Sequence, residues 1–118
     1  MAARITIYGI RNCDTMKKAF AWLDARGVAY EFHDYKKAGV PVARLQAWAA
    51  KLGWEALCNT RGPTWRKIPE SQRENLNATR ALKLLEANSS AIKRPILETG
   101  TLVLAGFDPA AYVDVLKR

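Results

Sequence analysis

The sequence predicts an α/β fold built on a mixed four-stranded sheet, and three observations predict it. A β-branched apolar run, a helical stripe and an alternating segment follow one another within residues 3–34. Two short apolar runs around a glycine turn, followed by a helix, close the chain. Residues 40–90 between them carry helical stripes and no strand pattern.

Taken in order, residues 3–8 are β-branched and apolar and form the first strand, ended by Gly9. Met16, Ala19, Phe20 and Leu23 recur at i, i+3, i+4 and i+7, so residues 14–25 form a helix with one core-facing stripe. Gly27 supplies the residue that can leave helical geometry at its end. Residues 28–34 alternate and predict the second strand. A strand, helix and strand in such quick succession require parallel pairing and a right-handed crossover. Lys36 to Val40 read as a polar loop, and Pro41 opens a helix to about residue 52 with Leu45, Trp48, Ala49 and Leu52 on one face. Trp54 to Cys58 continue as a short helical piece ending in the turn-rich Asn59-Thr60-Arg61-Gly62-Pro63. A short helix falls around 70–75 and a stronger one over 78–87, where Ala78, Ala81, Leu82 and Leu85 align. Pro95–Glu98 and Thr101–Leu104, separated by Thr99-Gly100, predict a tight antiparallel hairpin. Asp108 as cap and Pro109 at the first helical position start a last helix running to the C-terminus.

This order, βαβ then helices then ββα, is the thioredoxin arrangement, and two residues favour it over other α/β frames. Cys13 lies between the first strand and the first helix, and Pro95 opens the third strand after Arg94. In a thioredoxin-like fold that proline follows a cis peptide bond and its loop faces the thiol. The expected organisation is a single domain, 1–118, with a thioredoxin-like core at about 1–36 and 91–118 and an inserted helical subdomain at about 40–90.

Composition narrows the function classes. At 118 residues, with 49% apolar and 25% charged residues, the chain is an ordinary one-domain globular protein. Its apolar stretches fall far short of the ~18 residues of a membrane span, and the N-terminus lacks the apolar segment of a secretory signal, so a cytoplasmic location is expected. The net charge of +8 comes from nine basic and five acidic residues up to residue 60 and ten and six beyond it. An excess spread so evenly reads as solvated surface rather than a nucleic-acid footprint. Cys13 and Cys58 belong to no C-x-x-C pair, and the single His33 is not spaced with them as zinc requires. Neither a metal site, a structural disulfide nor a bound cofactor is expected.

Cys13 is the residue with chemistry. Thiolate is the nucleophile, and an unperturbed cysteine of pKa ~8.5 is mostly protonated at neutral pH. The first turn of a helix offers unpaired N–H groups and a partial positive charge, both of which favour an anion. Lys17, at i+4, can lie over the same face, while Asp14 opposes it. Polar neighbours (Arg11, Asn12, Asp14, Thr15) argue against deep burial. Met16 stands where a glutaredoxin-type site carries its second cysteine, so a mixed disulfide at Cys13 needs a sulfur from elsewhere. Cys58 follows Ala56-Leu57 and reads as a packed residue rather than that resolving thiol.

Arg94, before Pro95, and Arg61, before Gly62-Pro63, are the candidate anion holders, because guanidinium forks bind oxyanions and carboxylates in two-pronged fashion. Arsenate or the carboxylates of glutathione would suit them. Arg66 joins them as a ligand-binding candidate, with Pro95 presenting Arg94 and with Asn12 and Thr15 as hydrogen-bond donors. Lys67 reads as solvated surface, His33 as structural, and Trp65 as a core residue or a cover for a ligand.

The segments ITIYGIRNCDTMKKA, NTRGPTWRK and IKRPILE, in this order over nearly the whole chain, resemble the arsenate reductase-like (ArsC/Spx) family and especially its small YffB-type branch. The resemblance implies a thioredoxin-like fold with an inserted helical subdomain, a catalytic Cys13 and an arginine before the cis-proline, matching Arg94. Arsenate reductases of the family carry a histidine where this chain has Gly9 and use three arginines around the thiol. Arg61 is offset by about two positions from the second, and Ala105-Gly106-Phe107 stand where the third would be. The C-x-x-C of the Spx regulators is absent, since residue 10 is Ile10. The resemblance therefore implies a glutathione-dependent thiol oxidoreductase acting through a mixed disulfide, with glutathione as co-substrate and glutaredoxin as a further candidate partner. Its substrate would be a small thiol, disulfide or oxyanion. Arsenate reduction is the second enzymatic reading, and a Spx-like protein-binding regulator without catalysis is the rival from another class.

Overall fold

The computed structural model describes residues 4–116. The chain divides into two compact units, Met1–Lys37 with Arg94–Arg118, and Ala38–Lys93. The first contains the sheet. Strand β1 (Ile5–Gly9) leads into helix α1 (Asp14–Ala25), and β2 (Glu31–Asp34) follows. A single-turn helix α2 (Tyr35–Ala38) begins where Asp34 accepts the backbone N–H of Lys36 at 2.9 Å. The unit is completed by β3 (Ile96–Thr99), β4 (Leu102–Ala105) and a terminal helix, numbered α7 in chain order, over Pro109–Leu116. Strand order is β2-β1-β3-β4, with β1 parallel to β2 and the other two pairings antiparallel. This is the thioredoxin-like α/β arrangement.

Several boundaries differ from the sequence reading. Gly9 belongs to β1, paired with Asp34 on β2, rather than ending the strand. β2 begins at Glu31, three residues later than the alternation suggests. The expected polar loop after it contains α2, because the Asp34 side chain replaces a missing helical partner and holds the first turn. The hairpin strands each start one residue later than expected, and the turn is Gly100-Thr101. Gly100 has φ +59°, and a two-residue turn whose first position alone is left-handed is the II′ pattern that matches strand twist. The last helix begins as expected, with Asp108 accepting the N–H of Ala110 at 3.1 Å. Its expected continuation to the C-terminus lies outside the described residues.

The stripe predicted for α1 is the core. Met16, Ala19 and Leu23 are fully buried with Ile7, Leu97 and Tyr112, and Val115 joins them. Tyr112 is held edge-on by Trp22 at 5.6 Å and Phe107 at 5.1 Å between ring centres. Its hydroxyl is buried and has no hydrogen-bond partner, so the phenol loses its hydration without compensation, and burial pushes its pKa far above the ordinary tyrosine value. Leaving a buried polar group unsatisfied costs about 1–3 kcal/mol. We therefore expect Tyr112→Phe to stabilise the protein by about 1 kcal/mol, seen as a rise of several degrees in the thermal midpoint. A fall in the midpoint would show that the hydroxyl is satisfied in solution.

The second unit is helical. Helix α3 (Val42–Leu52) buries Leu45 and Trp48, and a 3-10 turn (Trp54–Leu57) follows Gly53. The expected turn-rich stretch then gives way to a helix the sequence reading lacks, α4 (Pro63–Lys67), with the proline at its first position and Trp65 buried beneath it. Helices α5 (Glu70–Arg73) and α6 (Ala78–Ala87) complete the unit. Asn77 caps α6 by accepting the N–H of Arg80 at 2.9 Å. No helix among the described residues is long and apolar enough to cross a membrane.

Candidate active site

The end of the sheet where β1 and β2 finish and β3 begins is set by the pairing Gly9 to Asp34 and Tyr8 to Ile96. At this end the chain leaves β1, turns through residues 10–13 and enters α1. The turn is closed by the Cys13 N–H donating to the Arg11 carbonyl at 3.1 Å, and the Cys13 carbonyl accepts the N–H of Lys17 at 3.0 Å. Cys13 thus occupies the cap position of α1, with extended backbone (φ −143°, ψ 130°) and a half-buried side chain. Its sulfur makes no capping hydrogen bond by strict geometry, as befits a neutral thiol, a weak acceptor. The N–H groups of Met16 and Thr15 nonetheless stand where a thiolate would gain from both.

Arg94 reaches the same sulfur from the strand that follows. The Arg94–Pro95 peptide is cis, as the fold predicts, and Pro95 and Ile96 are buried at the start of β3. Partial burial pushes the Cys13 thiol up, but a hydrogen bond from the Arg94 side chain opposes it. The N–H groups of Met16 and Thr15 and the positive charge of Arg94 add to that opposition, and the net pKa lies below the ordinary thiol value. The cationic help comes from Arg94, while the Lys17 side chain is exposed. Thr15 contributes its backbone N–H, while the side chains of Thr15 and Asn12 face solvent.

Met16 explains the missing second sulfur. Its side chain is fully buried, and a Cβ placed on Gly9 would sit 2.5 Å from the Met16 sulfur and 2.8 Å from its methyl carbon. The thioether fills the space that any side chain at position 9 would need, including the histidine of arsenate reductases. A glycine at 9 and a methionine at 16 are thus one packing solution.

The other candidates belong to their own surroundings. Arg61 is exposed beside Gly62 in the second unit, and Arg66 and Lys67 are exposed on α4 rather than on a loop. Trp65 is core of that unit, at 8% exposure. Cys58 is also buried there. Its thiol donates to the Trp54 carbonyl at 3.5 Å, its backbone bridges Ile92, and burial, then the nearby Glu55, pushes it up to about 11. It stays protonated and inert at neutral pH. His33 meets Tyr8 at a tilt and Tyr35 edge to face, at 5.1 and 6.0 Å between ring centres, in a structural position. Missed by sequence reasoning is the placement of Arg11, whose guanidinium lies over the Phe32 ring at 5.1 Å; no local signal joins residues 21 positions apart.

Comparison with known proteins agrees with this frame. Residues 8–115 match the model of the ArsC family. A protein of Haemophilus influenzae without assigned function is 40% identical over 108 residues, spanning 92% of this chain and 95% of that one. The Spx global transcriptional regulator of Streptococcus agalactiae is 26% identical over 116 residues, covering 97% and 84%. Among solved structures, a YffB protein superposes with a TM-score of 0.92 at 47% identity, covering 95% of this chain and 98% of its own. An arsenate reductase (ArsC) related protein from Brucella melitensis gives 0.76 at 46% identity, covering 98% and 96%. With nearly its whole length matched and a thiol set at the first turn of α1 beside the arginine of a cis-proline loop, the chain belongs to the ArsC family.

Proposed function

We propose that the protein is a cytoplasmic, glutathione-dependent thiol oxidoreductase with Cys13 as its nucleophile. The observation that carries this reading is the Cys13 sulfur itself, half-buried, hydrogen-bonded by Arg94 and lowered in pKa by groups fixed in the backbone around it. In the reaction, the Cys13 thiolate attacks one sulfur of a disulfide. A bond from Cys13 to that sulfur forms, the old sulfur–sulfur bond breaks, and the second sulfur leaves as thiolate. A glutathione thiolate then attacks the substrate sulfur of the mixed disulfide. Cys13 is released as thiolate, and glutathione is left joined to the remaining half of the substrate. The Arg94 guanidinium steadies the negative charge on Cys13 before attack and again as it leaves.

This reading is preferred to arsenate reduction on one observation. Next to Pro95, whose carbonyl accepts the Gly106 N–H at 2.8 Å, the end of β4 offers Ala105-Gly106-Phe107, so Arg94 has no cationic companion from that hairpin. A multiply charged oxyanion there lacks one charge-assisted contact worth about 1.5–3 kcal/mol. The test is incubation of the reduced protein with glutathione disulfide beside a Cys13→Ser control, read by intact mass and then by release on adding glutathione. One glutathione added at Cys13, and removed by free glutathione, is the expected result. Absence of the adduct would overturn the proposal in favour of a partner-binding module, and arsenate-dependent oxidation of glutathione would replace it with arsenate reduction.

A further inference from the structure

Arg11 is exposed, yet it is not free to wander. Its carbonyl accepts the Cys13 N–H, which ties its backbone to the thiol turn. Its guanidinium lies over the face of Phe32 at 5.1 Å, within the range of a cation–π contact. Phe32 is itself braced, edge to face, by Phe20 at 5.0 Å, and Phe20 stacks on Tyr30 at 5.7 Å. Among the described residues no carboxylate pairs with Arg11, although Asp14 lies three positions away. Arg26 provides the contrast. It also lies over an aromatic ring, Trp22 at 3.9 Å, but it donates to the Trp22 carbonyl at 3.4 Å and stands at the far end of the twelve-residue α1. Arg26 is thus occupied by its own helix, whereas Arg11 is held in place with its hydrogen-bonding edge unspent.

A guanidinium resting over a ring face spends none of its N–H groups on the ring, so its fork can meet a carboxylate with two hydrogen bonds. Holding it in advance lowers the ordering cost of binding. Arg11 and Cys13 share one backbone turn, and in a thiol flanked by peptide carboxylates those groups lie within a few residue lengths of the sulfur, each about 3.5 Å in extended chain. We infer that Arg11 is a carboxylate anchor of the thiol site, selecting an anionic low-molecular-weight thiol or its disulfide over neutral and cationic ones. The inference rests on the reading of Cys13 as a thiol–disulfide nucleophile. Arg11 then acts on which disulfide is attacked, leaving Arg94 to set how much thiolate is present.

The experiment compares rates of exchange at Cys13 with three disulfides: anionic glutathione disulfide, neutral bis(2-hydroxyethyl) disulfide and cationic cystamine. In Arg11→Ala the glutathione disulfide rate is expected to fall about tenfold, as one charge-assisted contact allows, with the neutral rate within twofold of wild type. Arg11→Lys keeps the charge without the fork and should recover only part of the loss. Phe32→Leu keeps the guanidinium without its rest, and should also lose part of the preference. Arg26→Ala serves as the control and should leave all three rates unchanged. Equal losses with all three disulfides, or no loss with the anionic one, would overturn the anchor while leaving the nucleophile in place. A wild-type Cys13 that exchanges with none of the three would remove the nucleophile, and the anchor with it.

Discussion

Replacing Cys13 by serine is expected to reduce disulfide exchange and alkylation at neutral pH to background, with Cys58 providing no substitute. A hydroxyl at this position is not ionised near neutrality, and the remaining thiol is buried and pushed up to about 11. The same substitution should change how stability depends on pH. The folded-state pKa of Cys13 lies below its ordinary value, so between the two the unfolded chain holds more protons than the folded one. Stability contributed by the thiolate is therefore fully present above the unfolded value and is lost as pH falls through the folded value. The urea midpoint of the reduced wild type, relative to Cys13→Ser, should rise as pH increases through the lowered folded value and level off above the ordinary thiol value. A flat difference across that range would show that the fold does not favour the thiolate.

Arg94→Ala is expected to move the thiol the other way. Burial of the sulfur persists in the variant, while the hydrogen bond and the charge that opposed it are gone; only the N–H groups of Met16 and Thr15 remain to favour the anion. The pH profile of alkylation by a neutral reagent should shift upward by about one unit, lowering the thiolate fraction near neutrality up to roughly tenfold and the rate there about threefold, once the greater nucleophilicity of the more basic thiolate is counted. A more basic thiolate is also intrinsically more nucleophilic, so above the new inflection the limiting rate should exceed wild type by about threefold per unit. This crossing of the two profiles separates loss of ionisation from loss of access, which would depress the rate at every pH. An unmoved inflection would show that Arg94 does not stabilise the anion in solution. Arg94→Lys should fall between, since it restores charge without the planar fork.

Much of the reactive end could be read from the chain because its signals are local. The α1 boundaries follow from a single stripe and a glycine stop, and they match the structure residue for residue. Arg94 could be named because the following proline marks a fixed loop, and Cys13 because a strand ends and a helix begins around it. Helix α4 was hidden because five residues are too few to show a period, and Asn-Thr-Arg-Gly-Pro carries the strongest turn chemistry in the chain. Helix α2 was hidden for a related reason: one buried aspartate, not a pattern, holds its only turn. For Lys17, which is exposed, i+4 spacing places a side chain on the right face without fixing where a long flexible stem puts its charge. The setting of Arg11 depends on a ring brought near by sheet pairing, and pairing is a tertiary fact.

The tight fit of a thioether against a bare backbone position has a consequence for timing. With hydrocarbon and sulfur filling the first turn of α1, no neighbour in that turn can displace a group captured on Cys13. Under the proposed mechanism escape is then a bimolecular event, and the dwell time of a captured species would lengthen in inverse proportion to whatever free mercaptan the surroundings supply. A molecule working this way would register the abundance of its reductant as a lifetime.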